Sequence, residues 1–477
     1  MGRNPDGRWP RPPSGNLHKG GWPVSRPFRD LALALTLAAS TWLASPASVP
    51  AQERPGLTAA ALDPIAAWYR GAPIIGMTVA IARADEPPLI LAWGHVDAAG
   101  AAPATADTVY EIGSITKTFT AALILRRVEQ GRLSLDEGVT RWLPELQGSA
   151  DVVTIRHLLA HTSGLSSTPV LEDMSLPVSA EDLLAAVRDR PADFIPGARF
   201  RYNNNGYGLL GLILERESGR AYAELLREDL LQPLGLSRTA PCPFEDASRP
   251  TGFNHNFVEG EGPVPHTRHH PLASGAAGML CSTAGDVLAW QSALMSGRVL
   301  EPQTLALMTE PQRLSNGSAS GYGLGIYVDE GGERLHHGGA ASGFITQMAW
   351  RPRERLGVVV LTNGIYAGAL AESLEQDLAG AAMGRAWAPP VEAPMSEAAL
   401  EALAGVYRIG PTRLDVFVLD GRLRARPEGQ VAARLLHQGG GVFRAEHDPA
   451  LMITFPGDGT VVLEKAGRAL PTGRRAP

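Results

Sequence analysis

The chain has 477 residues, with 43 Lys and Arg against 49 Asp and Glu for a formal charge of −6, and 44% of it is hydrophobic. That length leaves room for two or three domains with ordinary buried cores. The mild acidity lacks the basic stripe that nucleic-acid recognition requires, and no block of like charge reads as a tail.

In chain order, residues 1–51 read as an export signal. Arg26 and Arg29 precede an apolar run over 31–44, too short to cross a membrane as a helix. Val49-Pro50-Ala51 supplies small residues for cleavage before Gln52, and the residue at the cut is not a cysteine, which argues against a lipid anchor. The mature protein is therefore expected in the periplasm or secreted, with no stable membrane anchor. Cys242 and Cys281, the two cysteines, could pair there or stay as buried thiols; the sequence leaves both open.

Helical spacing covers 57–69, and 77–82 with 89–93 reads as a hairpin turned at Asp85-Glu86-Pro87-Pro88. Then comes Tyr110-Glu111-Ile112-Gly113-Ser114-Ile115-Thr116-Lys117-Thr118-Phe119-Thr120. Ile115, Phe119, Leu123, Ile124 and Val128 recur at helical intervals, so a buried helix is expected to start at or near Ser114 and to end near Gly131. Lys117, three residues on, shares a face with Ser114, and the free N–H groups of a first helical turn favour developing negative charge. A nucleophile, a base and part of an oxyanion site thus lie within four residues. Ser-x-x-Lys alone is common, and a serine before an apolar run is usually an N-cap; the chemistry needs context from elsewhere in the chain.

Downstream, His161-Thr162-Ser163-Gly164-Leu165 reads as a helix end capped by Gly164. Helices are expected over 181–190, 209–217 and 225–234, with the polar loop Phe200-Arg201-Tyr202-Asn203-Asn204-Asn205-Gly206-Tyr207 opening the second. His266, His269 and His270 sit with His255 in a Gly/Pro-rich stretch that reads as a solvated loop, and without a carboxylate or cysteine at ligand spacing no metal is expected. Ser274-Gly275-Ala276-Ala277-Gly278 is a tight bend before a helix capped at Ser282 or Thr283. Strand-like runs at 323–328, 334–337, 344–350 and 357–362 precede a helix over 367–383. The result is an α/β (α+β) core over 52–386 whose sheet draws strands from both ends. A proline-rich linker, 387–395, leads to 396–477, where alternation such as Leu414, Val416 and Val418 reads as a small antiparallel, barrel-like β domain.

Together, Ser114-x-x-Lys117, Tyr202-Asn203-Asn204 and His336-His337-Gly338-Gly339 resemble the three motifs of the serine β-lactamase and penicillin-binding-protein family, in its class C-like branch with D,D-peptidases, D-aminopeptidases and esterases. The resemblance covers about 76–383 and implies a sheet packed between helices with the site beside a helical lobe. It implies Ser114 as the acylated nucleophile, Lys117 as its base, Tyr202 as proton relay and Asn204 as a substrate contact. His336 and Gly338 would supply the sheet-edge triplet, and the N–H groups of Ser114 and Gly339 the oxyanion hole. No cofactor is implied.

Lysine, at a free pKa of about 10.4, needs a lowered value to act as a base, and tyrosine, at about 10, a cationic neighbourhood to form phenolate. His336 stands where β-lactamases carry lysine. The expected substrates are therefore short D-amino-acid peptides, peptidoglycan-derived ones among them, or small esters, ahead of β-lactams. A non-catalytic penicillin or peptidoglycan sensor is the alternative outside enzymes. The C-terminal domain is expected to shape substrate access. The oligomeric state is left open.

Overall fold

A computed structural model describes residues 57–476 apart from 71–74, 85, 98, 101, 247–248, 256–262, 366–369, 429–431, 447 and 466–467. The expected signal segment, with its apolar run and the cut before Gln52, lies outside the described residues.

Strands β1 (Gly76–Arg83) and β2 (Leu89–Gly94) form the expected hairpin. The short strands β3 (Tyr110–Glu111), β4 (Ala240–Pro241) and β5 (Leu280–Ser282) pair with one another elsewhere, in the order β3-β5-β4. Late in the core come β6 (Tyr327–Val328), β7 (Leu335–Ala341), β8 (Phe344–Arg351) and β9 (Leu356–Thr362). The main antiparallel sheet runs β2-β1-β9-β8-β7-β6, so strands from both ends of the core join at the β1–β9 seam, where Met77 faces Thr362 and Arg83 faces Leu356.

Both faces of this sheet are covered, which is why β1 and β9 are mostly apolar and buried at every position. Met77, Val79 and Ile81 pack with Val358 and Val360 beneath helices α1 (Ala59–Arg70) and, late in the core, Leu370–Ala382. Ala80, Val359 and Leu361 face the other way. There they meet α2 (Thr116–Glu129) and the helix Ala284–Met295, whose Trp290 stacks on Phe119 with ring centroids 4.0 Å apart and donates Nε1–H to Thr118 Oγ1 at 2.9 Å. Between lies a helical lobe of α3 (Ile155–Leu159), α4 (Ala180–Arg188), α5 (Asn204–Ser218) and α6 (Tyr222–Leu225), which passes into a π-type turn over Leu226–Leu231.

Of the strand expected over 323–328 only β6 forms. Gly325 takes φ +96° and lies so close to α2 that a Cβ there would meet the Ala121 methyl at 2.5 Å, so the chain bends over the helix before joining the sheet. Beyond Ala382, eight antiparallel strands from Gly405–Ile409 to Gly473–Arg475 close on themselves, with Leu414, Val416, Leu423, Phe443 and Val461 filling the barrel. The barrel touches the helix Leu370–Ala382, on the sheet face away from α2, and none of its described residues lines the pocket that holds Ser114.

Candidate active site

Short pairings hold the chain rigid ahead of Ser114. Glu111 on β3 faces Cys281 on β5, and Ala240 on β4 faces Cys281 from the other side. Cys242 and Cys281 form a disulfide across this seam, which settles the choice the sequence left open. Buried Glu111 accepts Nη2 of Arg249 at 2.7 Å. Gly113 then turns with φ +50° against β7: a Cβ there would lie 2.9 Å from the Ala340 amide nitrogen, so any side chain would be strained and would push turn and strand apart. Ser114 sits in a 3₁₀ turn, Gly113–Ile115, that runs directly into α2 two residues after it. The expected helix start is thus shifted by one tight turn, which still leaves N–H groups unpaired at the front of the helix.

Lys117 is fully buried. Its Nζ lies 3.0 Å from Ser114 Oγ and donates to the Ala277 carbonyl at 2.7 Å. Burial pulls its pKa well below the usual lysine value, because the charged form loses its hydration. The same Nζ is 4.8 Å from the centre of the Tyr202 ring. Burial raises the Tyr202 hydroxyl's pKa above the ordinary phenol value, against a smaller downward pull from Ser114. The expected cation-stabilised phenolate is therefore not favoured: burial shifts both the amine and the phenol toward their neutral forms.

The three asparagines divide by helical direction. Asn203 caps α5 through Gly206 N–H and donates to Leu165 O at 2.8 Å. Asn205 donates to Ser166 O and Thr168 O, at 3.0 and 2.9 Å. Asn204 alone of the three is exposed, and it lines the pocket of about 230 Å³ that contains Ser114. His161 accepts the Asn203 backbone N–H on Nδ1 at 3.1 Å, with its ring 4.3 Å from that of Tyr202. It is this residue, φ +57°, that leaves α3 in the left-handed region. Gly164, three residues on, is left-handed as expected at φ +71° but does not cap α3, and a Cβ there would lie 2.0 Å from Phe194 O.

The third motif is displaced by one residue from the expectation. Side chains alternate along a strand, so the paired histidines of β7 point to opposite faces. His336 turns away from Ser114, its Nε2 3.1 Å from Asp329 Oδ1 and its ring stacked on Tyr327. His337 faces the site, 6.2 Å from the Tyr202 ring, with Nε2 3.0 Å from Tyr322 Oη and Nδ1 2.7 Å from Gly338 O. Burial pushes His337 down to about 3, so it is neutral. The sheet-edge triplet is accordingly His337-Gly338-Gly339, with Gly339 in place of Gly338 as its closing glycine.

The oxyanion donor moves with it. Backbone N–H groups of an antiparallel strand alternate direction. Asn363 N–H bonds Gly76 O on β1, so Thr362 points to β8. Ile345, its partner, then points back to β9, and Ala340, opposite Ile345, points outward over Gly113. Gly339, opposite Thr346, is committed to the ladder. The N–H facing Ser114 from the sheet is Ala340's.

His269, read as part of a solvated loop, also lines this pocket, its backbone N–H bonded to Ser342 Oγ at 2.9 Å. Its neighbour His266 packs edge-on to it, 5.5 Å between rings, and the side chain of His255 falls outside the described residues. Among the described residues no three His, Cys, Asp or Glu gather as a metal site.

A family model described as Beta-lactamase matches residues 65–382. The chain belongs to the β-lactamase family. A D-aminopeptidase of Brucella anthropi is 30% identical over 302 residues, 60% of this chain; the match spans 56% of that relative's length. Among solved structures, an octameric penicillin-binding protein homologue from Pyrococcus abyssi superposes with a TM-score of 0.63 at 25% identity, covering 87% of this chain and all of that one. A D-amino acid amidase from Ochrobactrum anthropi SV3, complexed with L-phenylalanine, gives a TM-score of 0.57 at 26% identity over 65% of this chain and 92% of its own.

Proposed function

We propose that this β-lactamase-family chain is a serine hydrolase that works through an acyl-enzyme on amides or peptides of D-amino acids. The observation that carries the reading is the buried, desolvated Lys117 amine 3.0 Å from Ser114 Oγ. Ser114 Oγ attacks the substrate carbonyl while its proton passes to Lys117 Nζ. The negative oxygen is taken by the N–H groups of Ser114 and Ala340. As the C–N bond breaks, Tyr202 gives its proton to the leaving amine and recovers one from Lys117. Water then hydrolyses the Ser114 ester by the same steps reversed. Asn204 would hold the acyl half. The D-amino-acid preference is supported by the D-aminopeptidase and D-amino acid amidase relatives. β-Lactams rank lower because neutral His337 offers no fixed cation for their carboxylate.

Export to the periplasm or beyond is part of the same proposal. The apolar run over 31–44 supports it, as does the Cys242–Cys281 disulfide, a bond that persists in oxidising compartments.

The test is peptide mapping after a fluorophosphonate, together with turnover of D- and L-phenylalanine p-nitroanilide. An adduct on Ser114 and hydrolysis of the D-enantiomer are expected. No adduct, an adduct elsewhere, or a preference for the L-form would overturn the reading.

A further inference from the structure

The pocket around Ser114 shares a wall at Asn204 with a second cavity. Val170, Val178, Asn204, Asn205, Ala273 and Ser274 wall both that pocket and this cavity of about 360 Å³ running beside α5, between α4 and α6. From Asn204 to Glu215, both on its wall, α5 advances eleven residues, about 16 Å at ~1.5 Å per residue. Two glycines on this wall let α4 and the Ala276 turn close tightly on α5, at a cost in helix propensity. A Cβ on Gly208 would lie 2.7 Å from Leu183 Cδ2, and one on Gly211 2.7 Å from the Ala276 methyl.

The remaining walls are mainly apolar, with Glu215 the charged side chain among them. Glu215 Oε1 accepts the Tyr222 backbone N–H at 2.9 Å, and the carboxylate has no ion-pair partner among the described residues. The cavity lies on the helical side of Ser114. Tyr202, which must reach the leaving group, lies toward β7, beside His337.

We infer that this second cavity is an acyl-side subsite that takes an extended, mainly apolar chain with a cationic group at its far end, facing Glu215. The inference rests on the serine-hydrolase reading, and its test separates the two. The probes are p-nitrophenyl esters with acetyl, butanoyl, hexanoyl and decanoyl acyl groups, and decanoyl esters ending in an amine or a carboxylate. Each methylene that enters the cavity should raise kcat/KM about fourfold, the equivalent of ~0.8 kcal/mol. The amine-ended ester should outpace the carboxylate-ended one. Ala223→Trp, at the cavity's far end, should flatten the chain-length series and leave the acetyl ester unchanged; Leu212→Trp serves the same purpose should the first variant fold poorly. Glu215→Gln should erase the preference between amine and carboxylate ends without altering the acetyl rate.

A flat series in the unmodified enzyme, with acetyl hydrolysis and Ser114 labelling intact, overturns the subsite alone. So does a slope that survives both tryptophan variants, or an end-group preference that survives Glu215→Gln. Loss of acetyl hydrolysis and Ser114 labelling in the unmodified chain would instead overturn the hydrolase reading on which the subsite rests.

Discussion

Gly113→Ala tests the oxyanion geometry with one methyl group. Two costs can be read from the structure. At φ +50° an L-residue sits in the left-handed region, which costs about 1–2 kcal/mol of stability. The new Cβ would also stand 2.9 Å from the Ala340 nitrogen, and ordinary contact begins near 3.4 Å, so turn and strand must part by roughly half an ångström. Strand β7 cannot yield easily, being laddered to β8 along its length. An oxyanion donor is useful only within about 2.7–3.1 Å, and losing one costs roughly 10²–10³ in kcat. The expected outcome is a folded enzyme with kcat on a D-amino-acid anilide down by about two orders of magnitude and KM little changed. Ser114 and Lys117 keep their spacing along the turn, so fluorophosphonate should still label Ser114, more slowly. A folded Gly113→Ala enzyme with kcat within a few-fold of the unmodified one would refute the assignment of Ala340 N–H to the hole.

Lys117 must be neutral to act as a base, so kcat/KM should fall as pH drops through its lowered pKa and hold level above it, while Lys117→Met should abolish acylation; activity rising toward acid would contradict the base role. Because the unfolded chain keeps a proton that folded Lys117 releases, stability should rise with pH in that interval, and a Tm series on Lys117→Met should lose this slope. His337→Lys should improve KM for a substrate with a free C-terminal carboxylate, whereas His336→Lys, on the far face of β7, should leave it unchanged; the reverse pattern would restore the displaced register. Glu111→Ala strands the buried Arg249 guanidinium and should cost about 3–5 kcal/mol in denaturant unfolding. Reducing the Cys242–Cys281 bond, which closes 39 residues of chain, should cost about 4 kcal/mol by loop entropy, read as a fall in Tm.

Periodicity exposed what depends on local pattern. The run from Ile115 to Val128 located α2, and the alternation after residue 396 located the barrel, because a face of each must be apolar to be buried. Ser114, Lys117, Tyr202 and Asn204 come together as the motifs implied, since two of them lie on one helical turn and the others flank a helix cap. The histidine was missed because His336-His337 offers one imidazole to each face, and a motif read along the chain cannot say which face holds the serine. Only the pairing of β7 with β8 decides that, and the same pairing transfers the oxyanion donor from Gly339 to Ala340. His269 had no periodic signal at all. It reaches the pocket because its backbone is pinned to Ser342, 73 residues away in sequence.

Burial sets the proton inventory of this site more than charge does. Loss of water shifts Lys117, Tyr202 and His337 each toward its neutral form, which favours Ser114 passing its proton to an uncharged amine. The cost is deferred to the moment when Lys117 becomes an ammonium inside the protein. That cation is tolerable only while the oxyanion at Ser114 is opposite it, and the two charges appear and vanish together as the proton moves on through Tyr202. The Ala277 carbonyl, 2.7 Å from Nζ, lowers the cost by accepting one N–H throughout. A permanent cation in place of His337 would stabilise a substrate carboxylate, but it would also make Lys117 harder to protonate at the step that matters. A neutral histidine there fits an enzyme whose substrates present a neutral amide to that edge of the sheet, and it gives a physical reason for the departure from lysine at this position.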